Sequence, residues 1–160
     1  MEHAVFEAYL EESALKKAWE HAQQASAQGK EAMGLLAGEV REWQGRRYVV
    51  ASDYLTAGNS ATAVSVKFSK EAFPQLAAEI NNAKGNKKMI VGWLHSHPSY
   101  GCFLSQTDLQ TQKRYFSEEF SIAMVVDPVR NEKAVFKLEA GGAPARQQYR
   151  RATYAVIRKK

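Results

Sequence analysis

The chain has 160 residues, of which 45% are hydrophobic and 24% charged, which fits one globular domain with an ordinary core and excludes a disordered or fibrous chain. Its formal charge of +5 is uneven: no acidic residue follows Glu139, while Arg146, Arg150, Arg151, Arg158, Lys159 and Lys160 are all basic. A neutral body with a basic, solvated segment over 141–160 is therefore expected, and no groove-reading motif accompanies it to suggest nucleic acid.

The start, Met1-Glu2-His3, carries no basic stretch followed by an apolar one, and no apolar run reaches the roughly 18 residues of a membrane span. A cytoplasmic protein without membrane attachment is expected. Cys102 is the single cysteine, which excludes an internal disulfide and a cysteine-rich zinc knuckle. A metal site in this chain must use histidine and carboxylate.

In chain order, Leu15, Ala18, Trp19, Ala22 and Ala25 recur at helical spacing within Glu11 to Gln28, and Gly29 is placed to end that helix. Ala32 to Val40 and Tyr48 to Leu55 read as a hairpin around Gln44-Gly45-Arg46, with Glu31 at the start of its first strand. Ala57 to Ser65 is loop-like and a candidate binding segment. Phe73, Leu76, Ala77 and Ile80 form a second helical stripe, ended by Gly85-Asn86. Met89 to Leu94 is a continuous apolar run, as in a buried strand, that leads into His95-Ser96-His97 and is stopped by Pro98. Ser105-Gln106-Thr107-Asp108 reads as a helix N-terminus, with Leu109, Gln112 and Phe116 following. Ser121 to Val126 and Lys133 to Leu138 are strands, Gly141 to Pro144 is a linker, and Tyr149 to Ile157 suits either helix or strand. Helices alternating with strands in a chain of this length imply a sheet flanked by helices, of α+β or mixed α/β class.

The chemistry concentrates in one segment. On a strand, residues i and i+2 share a face, so His95 and His97 aim two imidazoles at one point while Ser96 faces away. Asp108 offers a third, harder ligand, and three protein ligands on tetrahedral zinc leave a fourth position for water, the catalytic arrangement. Each residue also has a plainer role open to it: strand-end packing for the histidines, helix capping for Ser105 and Asp108, a solvated strand start for Glu31. Cys102 reads as a small core residue beside the site and Trp93 as packing, while His3 and His21 lack sequence partners and are expected at the surface.

Glu31, then His95-Ser96-His97-Pro98, seven residues to Ser105 and two more to Asp108 resemble the JAMM motif of the MPN+ zinc metalloproteases. That family includes the proteasome-lid deubiquitinase and the COP9 signalosome deneddylase. The whole segment Gly92 to Ser105 and the stretch Glu31 to Gly38 resemble theirs, and the likeness extends over about Val5 to Leu138. It implies a single MPN catalytic domain over 1–160, with a cytidine-deaminase-like fold built on a curved, mostly antiparallel sheet. A compact, archaeal-type member is expected, since the eukaryotic relatives continue further.

The resemblance implies one zinc ion on His95, His97 and Asp108, Glu31 as general base and Ser105 as oxyanion donor. It also implies hydrolysis of the bond between the terminal glycine of ubiquitin, or of a ubiquitin-like modifier, and a substrate lysine. Asn59, Ser60, Ala61, Thr62, Ala63, Val64, Ser65 and Val66 correspond to the family's first insertion, which can pair with the modifier's extended tail. A non-catalytic or partner-activated scaffold in a proteasome-like assembly and a processing peptidase for a sulfur-carrier precursor are the alternatives. A nucleobase deaminase would need His-x-Glu with Pro-Cys-x-x-Cys, which one cysteine excludes.

Overall fold

The structure, a computed structural model, describes residues 5–56, 85, 87–139 and 148–158. Through these residues the chain runs β1 (Ala8–Glu11), α1 (Glu12–Ala27), β2 (Met33–Trp43), β3 (Arg46–Leu55), β4 (Met89–Ser96), α2 (Gln106–Tyr115), β5 (Ile122–Asp127), β6 (Glu132–Leu138), β7 (Tyr149–Arg151) and β8 (Tyr154–Ile157). The helical stripe expected at Phe73 to Ile80 and the segment Asn59 to Val66 lie outside the described residues.

Helix α1 buries Ala14, Ala18, Ala22 and Ala25, whose small side chains let it lie close on the sheet. Its end follows from Gly29, whose φ of +67° places it in the left-handed region. From there Lys30 N–H reaches Ala25 O at 2.8 Å and Gly29 N–H reaches Ser26 O at 2.9 Å, the paired bonds of a Schellman motif. His21 on this helix departs from the surface expectation. It is half-buried, its Nδ1 lies 2.7 Å from the Tyr54 hydroxyl, and burial lowers its pKa. Strands β2 and β3 form the expected hairpin, turned by Gln44 and Gly45, both at positive φ as a two-residue type I′ turn requires.

All eight strands join one sheet in the order β7-β6-β5-β4-β2-β3-β1-β8. Pairing is antiparallel in β2/β3, β2/β4, β5/β6 and β6/β7, and parallel in β1/β3, β1/β8 and β4/β5. The expected mixed, mostly antiparallel sheet is thus present. Its curvature follows from covalent reach. The outermost strands β7 and β8 are separated only by Ala152 and Thr153, yet Ala152 N–H bonds Val135 O on β6 while Thr153 O accepts Ala8 N–H on β1. A flat sheet could not place neighbouring residues at both of its ends.

The described part of 141–160, expected as a solvated basic segment, instead contributes two strands, and Arg150 and Arg158 are ion-paired there while Arg151 is exposed. Arg150 Nη2 and Nη1 donate to the Glu7 carboxylate at 2.6 and 3.1 Å, Thr153 N–H adds a third bond at 2.8 Å, and Arg158 pairs with Glu12 at 2.5 Å. The sequence reading missed β1 altogether and left β7 and β8 undecided.

Two cores lie on the two faces of the sheet. Under α1 sit Leu36, Val49, Tyr54, Leu94, Met124 and Val126; on the other side Met33, Leu35, Trp93, Val125, Leu109 and Phe116 pack with α2. A register shift in β4, with Leu36 opposite Gly92 and Ala37 opposite Ile90, leaves Val91 as an extra residue and sets the alternation that follows. Gly92 is needed there, since a Cβ would fall 2.1 Å from Ile122 O on β5. Beyond it Trp93 and His95 face α2, and Leu94 and Ser96 face the other way.

Candidate metal centre

Three side chains from two elements meet at the end of β4. His95 is the penultimate residue of that strand, His97 follows it with its N–H bonded to Val126 O at 2.9 Å, and Asp108 sits in the first turn of α2. His95 Nε2 and His97 Nε2 are 3.2 Å apart, and Asp108 Oδ2 lies 3.0 Å from the first and 3.3 Å from the second. Ligand atoms about 2.0–2.1 Å from a tetrahedral zinc ion stand roughly 3.3 Å from one another, so these separations approximate the edges of one face of its coordination shell. The three residues are only 0%, 2% and 2% exposed. Lone pairs converging in so dry a place repel unless a proton or a cation lies among them, and two nitrogens with one carboxylate oxygen suit zinc.

Burial opposes ionisation of Asp108, but hydrogen bonds from His95, His97 and the Ser105 amide hold its carboxyl well below the usual carboxylate range. For His97, burial opposes protonation and is outweighed by Asp108, the Gly101 carbonyl and the charge of Glu31, so its pKa is raised above 6.5. A metal needs the neutral ring, so binding must displace that proton. Zinc affinity is therefore expected to fall as pH drops through the raised His97 value, with weakening already under way above pH 6.5. Asp108 stays ionised throughout. Chelator-competition titrations between about pH 5 and 9 check this, and an affinity flat across that range would contradict it.

The surroundings fix both imidazoles. His97 Nδ1–H donates to Gly101 O at 2.9 Å, which leaves Nε2 facing His95 and Asp108 as the atom that could ligate a metal. His95 Nδ1 is buried with no hydrogen-bond partner among the described residues, and that ring is held instead by stacking on Trp93, centroids 4.5 Å apart and planes 16° from parallel. Trp93 rests on Phe116 and donates Nε1–H to Gln112 Oε1, so a core tryptophan serves as the backing plate of a ligand. Phe103 and Tyr100 cover His97, at 4.8 and 4.9 Å between centroids.

One carboxylate organises the loop after His97. Asp127 Oδ1 accepts the N–H groups of Ser99, Val129 and Arg130, each at 3.0 Å, and Oδ2 accepts Gly101 N–H at 2.8 Å. Ser99 and Gly101 both have positive φ, 72° and 83°, a loop shape that these bonds stabilise. Burial raises the Asp127 pKa but the four amides outweigh it and lower it. Asp127→Asn retains an oxygen for the Oδ1 partners and turns an amide NH₂ against Gly101 N–H. The carbonyl that orients His97 is then released. Zinc affinity is expected to fall about 10–100-fold, and the melting temperature of the metal-free protein to fall as well because a buried N–H is left opposed to a donor, measured by chelator competition beside thermal unfolding.

Glu31 enters this site through Ser96. The Ser96 hydroxyl accepts Ala32 N–H at 2.8 Å and its own N–H donates to Ala32 O at 3.0 Å, which locks the segment before β2 beside the metal strand. Glu31 is 8% exposed and its Oε1 accepts the Tyr100 hydroxyl proton. Ser105 is the N-cap of α2: its hydroxyl accepts Asp108 N–H at 3.1 Å, and Asp108 Oδ2 accepts Ser105 N–H at 2.9 Å, a reciprocal capping box. Accepting one bond leaves the Ser105 hydroxyl proton to donate elsewhere. Cys102 is set apart chemically, since burial pushes its thiol up to about 11 and its Sγ contacts Val125 O at 3.3 Å. A thiol protonated at neutral pH is a poor metal ligand.

The model of the JAB1/Mov34/MPN/PAD-1 ubiquitin protease family matches residues 3–119. The chain belongs to this family. Among similar proteins, the 26S proteasome regulatory subunit RPN11 of Candida glabrata is 33% identical over 134 residues, covering 82% of this chain and 42% of that protein. Ubiquitin carboxyl-terminal hydrolase RPN11 of Saccharomyces cerevisiae has the same identity and coverage. The 26S proteasome non-ATPase regulatory subunit 14 of Drosophila melanogaster is 32% identical with the same coverage. The chain thus spans about two-fifths of the length of these curated relatives. A solution structure of a protein from Desulfitobacterium hafniense, 19% identical, superposes with a TM-score of 0.67 over 95% of this chain and 94% of that one, which supports the fold.

In this MPN-family chain, the residues anticipated from sequence fall into three groups. His95, His97 and Asp108 are brought together with ligand atoms all within 4.8 Å, the group of this kind found among the described residues. Glu31 and Ser105 lie beside them, the first through Ser96 and Tyr100, the second through the cap of α2. Asn59 to Val66 lie outside the described residues. Sequence reasoning missed Asp127 and Tyr100. The only signal was positional: each stands next to an anticipated element, Asp127 at the end of a strand before Pro128 and Tyr100 three residues past His97.

Proposed function

We propose that this chain is a zinc-dependent isopeptidase of the JAMM type. It would hydrolyse the bond between the C-terminal glycine of ubiquitin, or of a ubiquitin-like modifier, and a lysine of a conjugated protein. The observation that carries this reading is a buried carboxylate, Glu31, adjoining two histidines and an aspartate whose ligand atoms stand at the spacing of a zinc coordination face.

His95, His97 and Asp108 would hold the ion. Zinc bound there supplies Lewis acidity, lowering the pKa of a water from about 15.7 toward 7 and polarising a carbonyl. Glu31 takes the proton of the attacking water and hands it to the departing lysine amine, which must be protonated to leave. Ser105 donates its hydroxyl proton toward the carbonyl oxygen as negative charge develops there, while its oxygen remains bonded to Asp108 N–H. Trp93, Phe116 and Phe103 keep water from the protein side of the ligands.

Asn59 to Val66, by their correspondence to the family's first insertion, are assigned the extended tail of the modifier, bound as an added strand. Two of these relatives are named as 26S proteasome subunits, and conjugates delivered to proteolytic machinery are the proposed setting here, in the cytoplasm. No helix among the described residues is long and apolar enough to cross a membrane. Nucleic acid is not the proposed partner, since no groove-reading motif accompanies the basic residues near the end of the sequence.

The test is incubation with a panel of ubiquitin and ubiquitin-like fusions and lysine-linked conjugates, with chelator and after zinc is restored. Cleavage after the terminal glycine, lost on chelation and regained with zinc, is the expected result. Cleavage indifferent to chelation would overturn it; full zinc occupancy with every substrate intact would favour a partner-activated scaffold.

A further inference from the structure

Tyr100 carries a contact that the proposed chemistry has not yet used. Its hydroxyl donates to Glu31 Oε1, and its ring lies on the His97 imidazole with centroids 4.9 Å apart and planes 25° from parallel. The side chain is nevertheless 45% exposed, so burial of its surface is a weak reason for it to be there. Its backbone is clamped on both sides: Ser99 N–H and Gly101 N–H, the two amides flanking it, bond the two oxygens of Asp127. The loop therefore presents the tyrosine from a fixed point, and among the described residues its hydroxyl has one partner, the carboxylate.

We propose that Tyr100 is a positioning residue for Glu31, holding one carboxylate oxygen so that the other faces the water whose proton it takes. This rests on the catalytic reading of Glu31 above. A carboxylate on three side-chain torsions can rotate away from the metal site, and a single charge-assisted bond from a clamped donor removes much of that freedom. The same ring touches a metal ligand, so a single residue sets the spacing between the base and the metal centre. Phenylalanine at this position would keep the stack and lose the hold.

Tyr100→Phe is expected to retain the zinc affinity of the parent within about twofold, since ring and loop are unchanged. With a ubiquitin-fusion substrate, kcat should fall about 10–100-fold, the range for one hydrogen bond to a charged group, while KM stays within about twofold. Placed on Glu31→Gln, the same substitution should add no further loss. Crystals of zinc-loaded Tyr100→Phe should show the Glu31 carboxylate in a new or divided position.

Parent-like kcat with an unmoved carboxylate would overturn the proposal, as would an equal loss in both backgrounds. An effect seen with Tyr100→Leu but absent with Tyr100→Phe would overturn it too, by assigning the role to the ring alone. Glu31→Gln at full activity would overturn the catalytic reading itself. An inactive Glu31→Gln beside a fully active Tyr100→Phe would overturn only the inference drawn here.

Discussion

Replacing Glu31 by glutamine is expected to leave zinc bound and to remove most of the turnover. General acid–base catalysis is worth about 10²–10⁴ in rate, and the upper part of that range is expected because, in the proposed mechanism, one carboxylate would serve two proton transfers in succession. Glutamine has the same shape, and its amide oxygen can still accept the Tyr100 hydroxyl, so neither the fold nor the approach of β2 to β4 is disturbed. What it cannot do at neutral pH is take a proton from water. The measurement is kcat/KM on a ubiquitin fusion beside zinc stoichiometry by elemental analysis. Loss of zinc together with activity would instead make Glu31 a structural member of the metal site.

The second large effect is expected at Asp108, where Asp108→Asn should abolish tight metal binding while sparing the helix. Its Oδ2 serves two purposes at once, facing both imidazoles at 3.0 and 3.3 Å and accepting Ser105 N–H at 2.9 Å. An asparagine oxygen can keep the capping bond, but an uncharged amide is a weak ligand for zinc. The affinity loss should exceed the roughly 10–100-fold that follows removal of an outer-shell partner. At a hundred times its Kd, zinc stabilises the native protein by about 2.7 kcal/mol, some 5–10 °C in a domain of this size. That zinc-dependent rise in melting temperature should be present in the parent and missing in the variant. Equal rises in both would place the metal elsewhere.

The candidate metal cluster was legible because its members are local: His95 stands at the end of a strand, His97 just past it on the same side, and Asp108 lies in the first turn of the next helix. Helix α1 and the β2/β3 hairpin were legible for a similar reason, since an alanine-rich stripe ended by Gly29 and a Gln44-Gly45 turn are signals confined to a few residues. Asp127 and Tyr100 were not, because nothing in their own neighbourhoods announces what they bond. Asp127 reaches back 26 residues to Gly101, and Tyr100 reaches back 69 to Glu31. Strands β1, β7 and β8 escaped for want of length, three or four residues being too few to display a period. Arg150 and Arg158 looked unpaired because their acidic partners, Glu7 and Glu12, lie 143 and 146 positions earlier in the chain.

The two residues that bridge the ends of the sheet also impose an order on folding. As the chain leaves the ribosome, β1 can meet β3 early, but its other edge stays open until Tyr154 to Ile157 have been made. Loop closure over so long a separation is slow, and an uncovered strand edge is a template for pairing with another nascent chain. Glu7, left without Arg150 during that interval, adds a charge beside the exposed edge, where a carboxylate discourages such pairing until the last strand arrives.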